Sequence, residues 1–105
     1  MTETNVVGTY IEKDGRKIIL NADKTSKIEV VILDTLLHVL RFHKPITGQW
    51  SLNKNNITFN IADTNYKYLE KCYYEVSRGL FRKPIIWNWG PARDKSNFNR
   101  YNKTK

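Results

Sequence analysis

The stretch Gly48–Ile61, with the sequence GQWSLNKNNITFNI, decides the fold. In Gly48–Leu52 small or apolar residues alternate with polar ones, and the same alternation returns in Ile57–Ile61. This period of two is typical of strands that bury one face. Between the two segments, Asn53–Asn56 is rich in turn-forming asparagine. We therefore predict a β-hairpin in which Trp50 is a core residue.

Similar segments precede this hairpin. β-Branched and aromatic residues favour strands at Val6–Ile11, Lys17–Leu20 and Thr25–Leu33. The pair Asp14-Gly15 predicts a type I′ turn, because both central residues of that turn take positive φ. The cluster Asn21–Lys24 predicts another turn between strands.

Two segments fit more than one structure. Asp34–Phe42 is expected to form a short helix, which Asp34 would cap, or a turn; the competing interpretation is a strand continuing from Thr25 to Phe42, which would be unusually long. Across residues 65–78 the apolar spacing fits a helix that Asp63 or Thr64 would cap, whereas four tyrosines favour a strand. The choice stays open at this point, with the strand preferred.

The C-terminal region adds a strand at Leu80–Trp89, where Pro84 indicates a bulge or an edge, and a closing strand at Ser96–Tyr101. About eight short strands predict a mostly β fold, an antiparallel barrel or half-barrel in meander order with one short helix. The expected core comprises Tyr10, Ile18, Leu20, Ile28, Val30, Ile32, Trp50, Leu52, Phe59, Trp87 and Trp89.

Composition restricts the class of protein. With 105 residues, 40% of them apolar and 27% charged, the chain is expected to form a single folded domain over residues 1–105. It has no apolar run of membrane-spanning length, and its first residues do not resemble a signal peptide. The single cysteine, Cys72, cannot form an internal disulfide. These features predict a cytoplasmic protein that does not bind a membrane.

The charge is concentrated at one end of the chain. The net charge is +8, from 18 basic and 10 acidic residues. From Arg78 onward there are eight basic residues and one acidic residue, which gives 8 − 1 = +7. This asymmetry suggests an anionic partner, although a solvated basic edge that resists aggregation explains it equally well.

Candidate chemistry is sparse. His38 and His43 lie five residues apart without the further ligands that a metal site needs, so we expect no metal and no cofactor. As an acid–base pair they would suit a ribonuclease, but surface or partly packed histidines are the preferred interpretation. Lys71 would lower the pKa of Cys72 slightly, yet a structural cysteine is expected. The sequence therefore predicts a protein that is not an enzyme.

The aromatic and basic residues near the C-terminus carry the binding prediction. Trp87 and Trp89 are two residues apart, so they share a face that either lines the barrel or forms a stacking platform. Tryptophan and arginine are favoured anchors of protein interfaces. The expected partner-binding residues are Arg78, Arg82, Lys83, Trp87, Trp89, Arg93, Lys95 and Arg100.

Several segments together carry a resemblance. Gly8–Tyr10, Ile18–Thr25, Gly48–Leu52, Ile57–Phe59 and the terminal Ile85–Phe98 resemble small lipocalin-like or fatty-acid-binding-protein-like β-meander proteins of bacteria. Some proteins of this kind serve as immunity proteins in contact-dependent growth inhibition systems.

The resemblance implies a cytoplasmic immunity protein that binds and occludes a cognate protein toxin, a nuclease being one candidate. Two other functions fit the residues: a barrel that binds single-stranded nucleic acid, and a carrier of a small apolar ligand.

Overall fold

A closed barrel of eight antiparallel strands in meander order forms the protein. The computed structural model describes residues 2–34, 40–78, 83–90 and 99–104, with side chains except at 32–34 and 40–43. The strands are β1 Gly8–Glu12, β2 Lys17–Leu20, β3 Thr25–Asp34, β4 Leu40–Asn53, β5 Asn56–Ile61, β6 Tyr74–Arg78, β7 Pro84–Asn88 and β8 Asn99–Lys103. The mostly β prediction is confirmed. Because β1 pairs with β8, the architecture is the closed barrel and not the half-barrel.

The barrel interior is filled by large apolar and aromatic side chains. Six predicted core residues are buried there: Tyr10, Ile18, Leu20, Ile28, Trp50 and Phe59. Val30 and Leu52 are partly buried against the same core, and the side chain of Ile32 lies outside the described residues. The core predictions for Trp87 and Trp89 are wrong, because these side chains lie on the outer face.

The turn at Asp14-Gly15 differs from the predicted type. Gly15 has φ of 93°, but Asp14 is not among the described non-glycine residues with positive φ, which are Lys24 and Lys54. The Glu12 N–H donates to the Arg16 carbonyl at 2.8 Å, so the loop holds three residues. Three-residue hairpin loops need positive φ only at their last position, and this is why a single glycine suffices.

The predicted helix at Asp34–Phe42 is wrong where the structure describes it. Asp34 ends β3, and β4 already includes Leu40 to Phe42; residues 35–39 lie outside the described residues. The two strands pair over ten positions, from Thr25↔Gln49 to Asp34↔Leu40. Pairing satisfies the backbone groups between the two strands, so this region is a long hairpin and not one overlong strand.

Residues 65–78 divide between the two alternatives. A 3-10 helix spans Thr64–Lys71, where the preferred strand is wrong, and β6 at Tyr74–Arg78 confirms the strand for the rest. Asp63 caps the helix by accepting from the Asn65 N–H at 3.0 Å. Leu69 turns into the core. The cap and this buried leucine stabilise a helical turn that tyrosine propensity alone does not predict.

Both chain ends are tied to the barrel. The predicted strand at Val6–Ile11 starts only at Gly8, and a short helix, α1, spans Glu3–Val6 before it. Val6 is fully buried, and its carbonyl accepts from the Tyr10 hydroxyl at 2.5 Å. At the other end, β8 continues past the predicted Tyr101 to Lys103, and the Thr104 N–H donates to the Thr9 carbonyl at 2.8 Å.

Candidate partner-binding surface

The register of β6, β7 and β8 decides which side of the barrel each side chain occupies. Val76, Ile86 and Tyr101 pair across the three strands, and all three are buried. Successive residues in a strand face opposite sides of the sheet. Trp87 therefore projects outward, between Glu75 on β6 and Arg100 on β8.

Three outward side chains form an ordered cluster, which we call the tryptophan platform: Trp87, Trp89 and Arg100. The two indole rings are stacked, with centroids 5.6 Å apart and planes 7° apart. The Arg100 guanidinium lies 5.5 Å from the centroid of the Trp87 ring. The indole N–H of Trp87 donates to the Ser77 hydroxyl at 2.8 Å, which fixes the orientation of the ring. The platform is thus preorganised before any partner binds.

Tyr73 extends the platform and was missed by sequence reasoning. Its carbonyl accepts from the Trp89 N–H at 2.9 Å, and its own N–H donates to the Gly90 carbonyl at 3.2 Å. These bonds place it beside Trp89, and 47% of its surface remains exposed. A strand pattern in the sequence could have identified Tyr73. If 73–78 is treated as a strand, Tyr73 and Glu75 share the outer face, because they alternate with the buried Tyr74 and Val76.

Two other predicted binding residues lie away from the platform. Arg78 and Lys83 are exposed at the β6–β7 connection, where Arg78 pairs with Pro84. Arg78 is the last residue of β6 and lies two positions after the buried Val76. It therefore belongs to the same face of the strand as Tyr74 and Val76, and not to the outer face that carries Trp87. Pro84 is the first residue of β7, a position where a proline is tolerated. The predicted residues Arg82, Arg93 and Lys95 lie outside the described residues.

The inside of the barrel contrasts with the platform. Burial raises the pKa of Tyr10, Tyr74 and Tyr101 above the ordinary tyrosine value, to about 12 for Tyr101. The ion pairs of Arg16 with Asp14 at 2.7 Å and with Glu12 at 3.4 Å lie outside this core, at the β1–β2 turn, where Asp14 is exposed. The interior itself is occupied by tyrosines and apolar side chains, which favours a packed core over a ligand chamber.

The remaining candidate residues do not assemble a reactive site within the described part of the chain. There, no three histidine, cysteine or acidic residues come together as metal ligands. His43 pairs with Val31 in the β3–β4 ladder, and His38 lies outside the described residues. Cys72 is partly buried, and burial raises the pKa of its thiol, opposite to the direction expected from Lys71.

Comparison with family models, curated proteins and solved structures found no match to this chain. Among the helices that the structure describes, none is long and apolar enough to cross a membrane.

Proposed function

We propose that this protein neutralises a cognate protein toxin by binding it, and that the tryptophan platform is the centre of the contact surface. The observation that carries the proposal is the outward stack of Trp87 and Trp89 with Arg100 against it. Trp, Tyr and Arg are the side chains that contribute most to binding energy in protein interfaces.

The order of the platform supports a role in binding. An exposed side chain loses conformational entropy when a partner immobilises it, at a cost of about 0.5–1.5 kcal/mol for each flexible side chain. Trp87 is already held by Ser77, and Arg100 donates from Nε to the Asn102 side chain at 3.0 Å. Binding at this surface should therefore cost less side-chain conformational entropy than binding at a surface whose side chains are free to rotate.

The toxin-neutralising part of the proposal rests on the resemblance to bacterial immunity proteins in the segments quoted above. The net charge of +8 adds a physical expectation, because a basic protein associates faster with a partner of opposite charge. We therefore expect an acidic toxin surface, which the protein covers without chemistry of its own.

The test begins with the gene immediately upstream, which we expect to encode a large protein with a C-terminal toxin domain, and then uses that domain. Binding affinity and growth protection are measured for the wild type, for a Trp87→Ala/Trp89→Ala variant and for Tyr68→Ala. Tyr68 is the matched control, because it is an aromatic residue with 55% of its surface exposed on the 3-10 helix and outside the platform. We expect the double variant to lose both binding and protection while Tyr68→Ala keeps them. A wild-type protein that does not bind the neighbouring toxin contradicts the proposal.

Single-stranded nucleic acid is the second candidate partner, because stacked indoles beside an arginine also suit unpaired bases. Such binding weakens steeply with salt, since each neutralised phosphate releases counterions. Titration of a mixed-sequence oligonucleotide at 50 and 200 mM salt separates the two functions. If the platform serves a protein partner, we expect no saturable binding of the oligonucleotide at either salt concentration.

A further inference from the structure

A groove of about 550 Å³ runs beside the tryptophan platform on the outer face of the barrel, where β8 meets β1. Ile11 and Asn102 pair across this junction, and Arg100 and Lys13 also line the groove. The groove therefore combines a partly buried apolar residue with two exposed cations.

The guanidinium of Arg100 is held from two directions. Its Nε donates to Oδ1 of Asn102 at 3.0 Å, and its Cζ lies 5.5 Å from the centroid of the Trp87 ring. Arginine has five N–H donors arranged as a rigid planar fork. With Nε engaged by Asn102, the donors on the two terminal nitrogens form the edge that suits a bidentate carboxylate.

The acidic group that lines the groove, Glu12, is partly compensated by its neighbours. The Glu12 carboxylate accepts from the Arg16 guanidinium at 3.4 Å and from the Asp14 N–H at 3.1 Å. Arg16 also pairs with Asp14, at 2.7 Å, so Glu12 keeps part of its charge. The described lining residues therefore present two cations, Arg100 and Lys13, against one partly compensated carboxylate.

We propose that this groove receives an aspartate or glutamate side chain of the protein partner, and that Arg100 binds its carboxylate end-on while the adjoining platform packs against apolar partner residues. This inference rests on the proposed function, since it names the chemical group that the partner presents. Asn102 is a positioning residue, which acts by holding the plane of the guanidinium.

The experiment measures the affinity of the neighbouring toxin domain for three single variants. Arg100→Lys keeps the charge but loses the planar fork, and we expect it to weaken binding about 30-fold, the effect of an interface hot spot. Asn102→Ala is expected to weaken binding about fivefold, as for one lost hydrogen bond. Lys27→Arg is the matched control, because it exchanges the same two cationic side chains at an exposed position on β3, away from the platform and the groove, and binding should not change.

Two further measurements separate structure from recognition. Urea midpoints should agree between wild type and all three variants, which excludes unfolding as the cause. In the free protein, the Arg100 Nε–H nuclear magnetic resonance signal should exchange faster with water in Asn102→Ala than in wild type, because its acceptor is removed.

The outcomes distinguish the two proposals. If Trp87→Ala/Trp89→Ala abolishes binding while Arg100→Lys behaves like the control Lys27→Arg, the carboxylate groove is refuted and the proposed function stands. If the wild type does not bind the toxin domain at all, both fail. If Arg100 instead supports salt-sensitive binding of single-stranded DNA, the groove binds phosphate and the protein-carboxylate proposal is wrong.

Discussion

Trp50 and Trp87 occupy strands of the same barrel and make the same kinds of contact. The indole N–H of Trp50 donates to the Asn21 carbonyl at 2.9 Å, and the Lys24 ammonium lies 4.7 Å from its ring centroid. Trp87 likewise has a hydrogen-bond acceptor and a cation beside its ring. Trp50 nevertheless belongs to the core, with 3% of its surface exposed, whereas Trp87 lies outside it.

The difference between these tryptophans shows that a hydrogen-bond acceptor and a nearby cation do not determine whether an aromatic side chain belongs to the core. The face of the sheet on which the side chain lies determines this. An inward ring contributes burial to folding, whereas an outward ring with fixed orientation is available to a partner. The predictions below test that division, beginning with the largest expected effect on stability.

Replacing Trp50 with alanine should destabilise the fold far more than replacing Trp87. Removal of a buried tryptophan costs about 3–5 kcal/mol, because both burial and packing are lost. Trp87→Ala removes a stacked ring and a cation contact worth about 1–2 kcal/mol. Urea unfolding of the two variants gives both values. Equal losses in the free energy of unfolding would contradict the assignment of Trp50 to the core and of Trp87 to the outer face.

Gly48 and Gly90 offer the same comparison in the backbone. A Cβ added at Gly48 would lie 2.6 Å from the Asn60 carbonyl oxygen, whereas at Gly90 no atom lies within 4 Å. Gly48→Ala forces two strands apart, and we expect a loss of about 1–3 kcal/mol. Gly90→Ala creates no clash, and only the backbone strain of a φ of +74° should lower its stability, by about 1 kcal/mol. A thermal midpoint that falls further for Gly90→Ala would reverse this ranking.

The interior tyrosines predict sensitivity to alkali. Burial raises the pKa of Tyr101 from 10.0 to about 12, so the folded state keeps a proton that the unfolded state releases above pH 10. Stability should therefore be unaffected by Tyr101 below pH 10 and should fall between pH 10 and 12, by about 1.4 kcal/mol per pH unit. Unfolding at several pH values measures the slope, and Tyr101→Phe should make it shallower.

The smallest expected effect concerns the orientation of the platform. Ser77→Ala removes the acceptor of the Trp87 N–H, with a loss of about 0.5–1.5 kcal/mol. Hydrogen exchange of the indole N–H, followed by nuclear magnetic resonance, should become faster at Trp87 and stay constant at Trp50. Unchanged exchange at Trp87 would show that Ser77 does not fix this ring.

Alternation in the sequence was enough to predict the inner and outer faces of the hairpin β4–β5. There, each apolar residue stands between polar neighbours, so only one assignment buries the apolar set. Trp50 and Phe59 are buried accordingly. The same reasoning failed for β7, because Ile85, Ile86 and Trp87 follow one another without a polar residue between them.

The sequence by itself determined the fold class, the strand order and the burial of Trp50, because a period of two with turn residues between strands leaves few alternatives. Only the tertiary structure decided that Ile86 faces the core and Trp87 the outside, since that depends on pairing with Val76 and Tyr101. The same pairing brought Arg100 to Trp87, although the two lie thirteen positions apart along the chain. Cross-strand register joins residues distant in sequence, and no local pattern in this chain records that register.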